Sequence, residues 1–348
     1  MLKPPSLTVL CRHTALLGLL IIGQAQALEC GQFDFPFCSN AKEKPRQFAG
    51  GFNPKTPIGG FGGSDDCKSQ TQPRPAAGRK APVVLIHGNG DSAIGWDSPA
   101  PARAVTPPGP SVYRELKARG YNDCEIFGVT YLDADEQNLD RTDRNFHQPE
   151  KYKIIWQFIQ AVKTYTGSDK VDIIGHSLGV SMTLATLDYY REHKQKAWDS
   201  VGKFINIVGG LHGLNSCFSG IATAATCQAE HSGTGDAFYQ FGFFPDIVSP
   251  LLPNRWTAVN GVYSLGRAPH RHPTVAFYTI LAGPHDDIHC PRSLTIWPVL
   301  DCSRGPLFAS EPNVHSQLDI GTEPNSPPPA WTTKVNREVA NLFPRDLA

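Results

Sequence analysis

Residues 171–179 read Val-Asp-Ile-Ile-Gly-His-Ser-Leu-Gly, and a helix-forming stretch from 180 to 190 follows them directly. The first four residues favour a short buried strand, and the last five fit Gly-x-Ser-x-Gly. A strand, this motif and a helix in that order predict a nucleophile elbow, a strained turn that exposes the Ser177 hydroxyl at the carboxyl end of a sheet. Gly175 and Gly179 flank the serine, where a Cβ would clash. The alternative is a turn in which Ser177 only caps the helix, and the flanking strand and helix favour the nucleophile.

Apolar strands alternate with amphipathic helices along much of the remaining chain. This alternation predicts the α/β class and, with the elbow, an α/β-hydrolase fold whose mostly parallel, doubly wound sheet carries helices on both faces. The expected strands are 83–86, 125–131, 171–174, 204–208, 275–281 and 314–320, and the expected helices are 112–119, 152–165, 180–190 and 332–343. The pattern breaks between about 211 and 272, where we expect a cap inserted over the sheet. Residues 28–80 are expected to form a disulfide-tied N-terminal arm, and 81–348 the catalytic domain.

The first 27 residues have the form of an export signal. Lys3 and Arg12 provide positive charge, residues 15–22 are apolar, and Ala25-Gln26-Ala27 is a typical cleavage site before Leu28. The apolar stretch is too short to cross a membrane, which takes roughly 20 residues. The sequence therefore predicts a secreted, extracellular protein whose mature chain starts near Leu28.

Eight cysteines follow the signal, and an even number in an exported chain predicts disulfide bonds. Sequence does not fix their connectivity. Proximity favours Cys30–Cys38, Cys217–Cys227 and Cys290–Cys302, which leaves Cys67–Cys124. Because no Cys-x-x-Cys pair occurs, a structural zinc site is not expected.

The charge balance excludes several classes of partner. The chain has 32 basic and 32 acidic residues, so it carries neither the basic excess of a nucleic-acid-binding protein nor a polybasic membrane patch. We expect no nucleic acid, no membrane span, no cofactor and no metal, and a monomer. At 348 residues the chain is long enough for one catalytic domain with an inserted cap.

A nucleophilic serine needs two N–H donors for the oxyanion that forms during attack. The stretch His87-Gly88-Asn89-Gly90 follows the strand at 83–86, where the oxyanion loop of this fold belongs. We expect the backbone N–H groups of Asn89 and Leu178 to be the donors. His87 is expected to shape this loop rather than to transfer a proton.

The triad acid and base should follow the serine in the order acid, then histidine. Asp286 is the expected acid because it follows the strand at 275–281, and Asp287 is the second choice. A metal site built from Asp286, His285 and His289 is the weaker interpretation at this position.

The base is harder to place. No histidine lies in residues 321–331, where the loop after the last strand is expected. Apart from His289, His315 is the only histidine beyond Asp286, and it is the expected base. It lies near the start of the last predicted strand, about 17 Å before Ile320 at ~3.3 Å per residue.

Several stretches resemble the extracellular depolymerases of native (amorphous) poly(3-hydroxybutyrate) granules, a family related to bacterial lipases. The resemblance covers most of residues 28–320, and its most specific part is the 21-residue block 112–132. The other matching stretches are 83–91, 179–182, 203–206, 241–245 and 277–279. It implies a secreted serine ester hydrolase with Ser177 as nucleophile and Asp286 as acid.

The chain departs from that family at the substrate region and the tail. Of the aromatic residues that would bind the polymer, Phe218, Phe238 and Tyr239 remain, while several aromatic positions near 247–250 are replaced; Phe218 and Tyr239 are the expected substrate-binding residues. Ala330 occupies the place of the family's catalytic histidine. Two alternatives therefore stand beside a polyester depolymerase: a lipase or esterase acting on smaller acyl esters, and a polyester-binding homologue that has lost its base.

Overall fold

The computed structural model describes residues 58–63, 80–97, 111–137, 148–192, 195–209, 272–281 and 314–319. Its strands are β1 (Gly59–Phe61), β2 (Val83–Ile86), β3 (Ile126–Thr130), β4 (Val171–His176), β5 (Val201–Ile207), β6 (Ala276–Leu281) and β7 (Val314–Asp319). Its helices are α1 (Val112–Ala118), α2 (Pro149–Thr166) and α3 (Leu178–Glu192), with short 3₁₀ helices at Ala93–Asp97 and Trp198–Ser200. Within these ranges the seven strands form one sheet in the order β1-β3-β2-β4-β5-β6-β7.

The sheet is mostly parallel, as the alternation of elements predicts. β1 runs antiparallel to β3, and each of the other neighbouring pairs in the described sheet is parallel. Alternate residues of β2 point to opposite faces of the sheet. Val84 and Ile86 pack in a hydrophobic cluster with residues of α2 and α3, whereas Val83 and Leu85 pack with residues of α1 and the first 3₁₀ helix. Helices therefore cover both faces, which confirms the doubly wound arrangement.

Local sequence explains where the helices begin and end. Pro149 occupies the first turn of α2, where its missing N–H costs nothing, and Gly167 ends the helix in the left-handed conformation at φ 68°. Ser111 caps α1 by accepting a hydrogen bond from the Arg114 N–H at 3.1 Å. Its hydroxyl also donates to the buried Asp97 carboxylate at 2.8 Å, which ties the helix to the preceding 3₁₀ turn.

The arm predicted for residues 28–80 contains a strand that sequence analysis did not identify. β1 lacks an apolar alternation because two of its three residues are glycine. At Gly60 the φ angle is 149°, and an added Cβ would overlap the Gly128 carbonyl oxygen of the neighbouring strand. Glycine is thus needed for β1 to approach β3, although it weakens the usual sequence signal of a strand.

Other predicted features lie wholly or mostly outside the described residues. These are the signal 1–27, the remainder of the arm, the cap at 211–272 and the C-terminal helix 332–343. Cys124 is disulfide-bonded, but its expected partner Cys67 lies outside the described residues, so that pairing stays a prediction. Among the helices that the structure describes, none is both long and apolar enough to traverse a bilayer.

Candidate active site

The sheet brings the two predicted catalytic loops together. β2 and β4 are direct neighbours, and Ile86 at the end of β2 pairs with Gly175 near the end of β4. The chain leaves β2 into the predicted oxyanion loop and leaves β4 into the predicted elbow. Both loops therefore emerge side by side at the carboxyl edge, where ligands bind in open α/β sheets.

Ser177 occupies a strained turn between β4 and α3. Its φ angle is 50°, a left-handed value that is rare for a residue with a side chain and costs on the order of 1–3 kcal/mol. Neighbouring backbone groups hold this conformation: the Ser177 N–H donates to the Ile207 carbonyl at 2.9 Å, and the Ser177 carbonyl accepts from the Val180 N–H at 3.1 Å. The backbone has the strained turn that the motif predicts, and the role of Ser177 as nucleophile stays a prediction.

Close packing leaves little room for a side chain at Gly175 and none at Gly179. A Cβ on Gly175 would lie 3.1 Å from the Val180 Cα of the following helix. A Cβ on Gly179 would overlap the His87 carbonyl oxygen and lie 2.7 Å from that of Ile86. Gly179 thus lets the elbow helix rest directly on the backbone that leads into the oxyanion loop.

The oxyanion loop in turn lies against the serine. A Cβ on Gly88 would be 3.2 Å from the Ser177 Cβ and 2.8 Å from Nδ1 of His176. Leu178 is the first residue of α3, so its N–H has no acceptor within the helix. The loop residue Asn89 follows Gly88 directly. The roles of the Asn89 and Leu178 N–H groups as oxyanion donors remain predictions.

His87 is buried beneath this loop, with 1% of its surface exposed. Its Nδ1 lies 2.8 Å from the Gly88 carbonyl oxygen, and its Nε2 lies 3.4 Å from the backbone nitrogen of Tyr131. A carbonyl accepts and an N–H donates, so both contacts are satisfied by the neutral ring with its proton on Nδ1. Burial, reinforced by the neighbouring His176, lowers the pKa of His87 to about 3. A ring that stays neutral and fully engaged supports the view that His87 shapes the loop.

Tyr131, which sequence reasoning missed, completes this arrangement. It follows β3, is fully buried, and stacks on His87 with ring centroids 4.4 Å apart. The residues after it are fixed as well, because Gln137 Nε2 donates to the Leu132 carbonyl at 2.8 Å. An ion pair between the buried Lys151 and the partly buried Glu136, with 2.8 Å between Nζ and Oε1, joins the same segment to the first turn of α2. The resemblance block 112–132 includes Tyr131, but no local pattern singles it out.

A second strained residue adjoins the elbow. Val208, directly after β5, has φ 45°, which is a genuine outlier for a β-branched side chain. Its N–H donates to the Ile280 carbonyl at 2.9 Å, and the buried Asn206 side chain accepts from the Gly209 N–H at 2.7 Å. Since the Ile207 carbonyl also holds Ser177, this turn supports the backbone of the elbow.

Five of the residues that the sequence analysis singles out are not tested by the structure. Asp286, Asp287, Phe218, Tyr239 and Ala330 lie outside the described residues. Of the described residues, no group of three or more His, Cys, Asp or Glu side chains could hold a metal ion.

His315 lies at the beginning of β7. In the register, His176 pairs with Ile207, Ile207 with Ile280, and Ile280 with Leu318, three residues beyond His315. Three residues correspond to about 10 Å along the strand, and three strand spacings to about 14 Å across the sheet. The Cα of His315 is therefore roughly 17 Å from that of His176. This separation argues against His315 as the base that contacts Ser177.

Residues 80–235 match the family model described as Lipase (class 2). That range contains β2 to β5, the elbow and the oxyanion loop. The chain has the α/β-hydrolase fold. The match supports a lipase- or esterase-type hydrolase.

Solved structures of ester hydrolases are also similar to the chain. The mature lipase BlEst2 of Bacillus licheniformis is 13% identical with a TM-score of 0.42, and the match covers 79% of this chain and 94% of that one. The carboxylesterase EstE1, cloned from a metagenomic library, is 14% identical with a TM-score of 0.40, covering 79% and 81%. An arylesterase is 14% identical with a TM-score of 0.41, covering 86% and 87%.

Proposed function

We propose that the chain is an exported serine carboxyl-ester hydrolase whose substrate is poly(3-hydroxybutyrate) or its oligomers. The observation that carries the hydrolase part is the strained backbone of Ser177, with the Gly88 loop packed against its Cβ. A serine displayed at a strained turn beside a loop of backbone N–H groups has the arrangement that acyl transfer requires.

In the proposed reaction, Ser177 Oγ attacks the ester carbonyl carbon while a base takes the hydroxyl proton. The C–O bond to the leaving alcohol breaks, the alcohol oxygen receives that proton, and a 3-hydroxyacyl-enzyme remains. Water then attacks the acyl carbon, gives a proton back to Ser177, and releases the acid. The Asn89 and Leu178 N–H groups stabilise the oxyanion in both steps. Asp286 orients the base.

The substrate class rests on the sequence resemblance to depolymerases of amorphous polyester granules, most specific over 112–132. A polymer granule outside the cell requires a secreted enzyme, which agrees with the predicted export signal. The match to the Lipase (class 2) model favours a second candidate, a lipase or esterase acting on smaller acyl esters. Ala330 at the family's histidine position favours a third, a polyester-binding protein without catalysis.

The test is to assay the mature chain, residues 28–348, on amorphous poly(3-hydroxybutyrate) granules and on p-nitrophenyl butyrate. We expect release of 3-hydroxybutyrate and loss of activity in Ser177→Ala. The matched control is Ser168→Ala, because Ser168 is a half-buried serine that precedes β4, at the end of the strand opposite Ser177, and its hydroxyl donates to the Lys170 carbonyl at 2.6 Å. Hydrolysis of the soluble ester without polymer degradation would identify an esterase. Sedimentation with granules without any acid release would identify a binding protein.

A further inference from the structure

Tyr131 contacts His87 in three separate ways. Their rings stack at 4.4 Å with only 13° between the planes. The Tyr131 N–H donates to His87 Nε2 at 3.4 Å, and the Tyr131 hydroxyl donates to the His87 carbonyl oxygen at 3.1 Å. Because one residue holds the ring face, a ring nitrogen and the carbonyl of the other, His87 has a single orientation.

This orientation fixes two successive carbonyl groups. The His87 carbonyl is held by the Tyr131 hydroxyl, and the Gly88 carbonyl is held by Nδ1 of His87 at 2.8 Å. In a planar trans peptide the N–H points opposite to the carbonyl. The Asn89 N–H, which shares a peptide with the Gly88 carbonyl, therefore points away from His87.

The fixed loop is in contact with the nucleophile. A Cβ on Gly88 would lie 2.8 Å from His176 Nδ1 and 3.2 Å from the Ser177 Cβ, and Gly179 has no room for a Cβ beside the His87 carbonyl. The loop is therefore held between the elbow on one side and the His87–Tyr131 pair on the other. An oxyanion donor is effective only at about 2.7–3.1 Å from the developing charge, so a small rotation of this loop would weaken it.

We propose that Tyr131 is a positioning residue that, through His87, directs the Asn89 N–H toward the oxyanion. The inference rests on the proposed ester hydrolase function. Burial, with smaller effects from Glu136 and Asp91, keeps the pKa of Tyr131 well above its usual value. The hydroxyl thus remains a donor throughout the pH range in which an esterase works.

The test is Tyr131→Phe, which keeps the stacked ring and the backbone N–H and removes only the bond to the His87 carbonyl. Tyr121→Phe is the matched control, because Tyr121 is a buried tyrosine that precedes β3 at the opposite end of the strand. On p-nitrophenyl butyrate we expect kcat to fall about tenfold in Tyr131→Phe with KM unchanged. This loss is smaller than the roughly 10²–10³-fold fall in kcat that follows when an oxyanion donor is deleted, because the Asn89 N–H is displaced and not removed. We expect affinity for an alkylboronic acid, whose adduct with Ser177 carries the oxyanion, to fall in parallel. Tyr121→Phe should change neither.

A purely structural role would lower the melting temperature of Tyr131→Phe without separating kcat from KM, and that result would overturn the inference. A second readout does not need activity: crystal structures of the parent and Tyr131→Phe should show a rotated or split Gly88–Asn89 peptide in the variant. An unchanged peptide overturns the inference whatever the substrate. A moved peptide in a chain that hydrolyses no ester would instead refute the proposed function.

Discussion

The low pKa of His87 predicts that the protein loses stability in mild acid. A buried imidazole with Nδ1–H on a carbonyl and Nε2 accepting from an N–H has no place for a second proton. Its pKa falls from 6.5 to about 3. Below pH 6.5 the His87 side chain therefore binds a proton in the unfolded chain but not in the folded chain. The free energy of unfolding is unaffected by His87 above pH 6.5 and falls as the pH decreases toward 3.

The size of the effect follows from the pKa difference. Each pH unit between the two pKa values changes the free energy of unfolding by about 1.36 kcal/mol. At pH 5, which is about 1.5 units below the unfolded value, the loss from His87 alone is about 2 kcal/mol. That is a large part of the 5–15 kcal/mol by which a domain is stable.

The assay compares the parent with His87→Asn in urea denaturation at pH 7 and pH 5. Asparagine offers an N–H near the position of Nδ1 but does not titrate, so we expect the variant to lack the 2 kcal/mol difference, although the lost stacking on Tyr131 makes it less stable at both pH values. NMR of the parent should show His87 ring signals that do not move between pH 7.5 and 5. A midpoint near 6.5 for that ring, or an equal pH dependence in both proteins, would refute the reasoning.

Three further outcomes are expected. Gly179→Ala should destabilise by roughly 3 kcal/mol because its methyl meets two backbone carbonyls, and this clash outweighs the ~1 kcal/mol that alanine gains in a helix. Burial raises the pKa of Asp172 from 3.8 to about 6. The stability that the protonated carboxyl contributes is therefore complete below pH 3.8 and is lost as the pH rises through 6. Asp172→Asn should be more stable than the parent at pH 8 by up to about 3 kcal/mol, because asparagine does not ionise and still accepts from the Lys203 N–H. His315→Ala should keep its esterase rate within about twofold, whereas Ala330→His should raise the rate.

Urea denaturation midpoints test the two stability predictions, and rates of ester hydrolysis test the prediction for His315. Gly167→Ala is the control for Gly179, because a Cβ there meets nothing within 4 Å and costs only the ~1 kcal/mol of a left-handed backbone. An equal loss in both variants would show that clash is not the cause. If Asp172→Asn is less stable than the parent at pH 8, the carboxylate is stabilising. Loss of activity in His315→Ala but not in His289→Ala would restore His315 as the base.

Much of the fold could be predicted because its signals are local. β2 and β7 begin where the apolar runs at 83 and 314 begin, and α1 begins at the predicted Val112. The elbow was predictable for the same reason, since a strand, Gly-x-Ser-x-Gly and a helix occupy consecutive residues. β1 could not be predicted because it is mostly glycine. Its close approach to β3 requires glycine, and glycine removes the alternation of apolar and polar side chains that identifies a strand.

The contacts that shape the candidate site could not be read in this way. Tyr131 and His87 are separated by 44 residues, and only the pairing of β3 with β2 brings the carboxyl ends of these two strands together. His87 was expected to shape the oxyanion loop, but its tautomer, low pKa and partner depend on that tertiary contact. The same holds for Val208. Its β-branched side chain disfavours a positive φ, and the conformation is held by contacts with the neighbouring strands, which the local sequence does not reveal.

Backbone strain bears on the choice between an enzyme and a binding protein. Ser177 and Val208 both adopt left-handed conformations at the carboxyl edge of the sheet, and each costs on the order of 1–3 kcal/mol. Such conformations persist only where the surrounding contacts enforce them, and here they are enforced by the Ile207 and Ile280 carbonyls and by the side chain of Asn206. Binding a polyester surface needs exposed apolar groups and gains nothing from a strained serine backbone. Presenting a hydroxyl beside oxyanion donors does require it, so the strain favours catalysis and makes the identity of the base the decisive question for this chain.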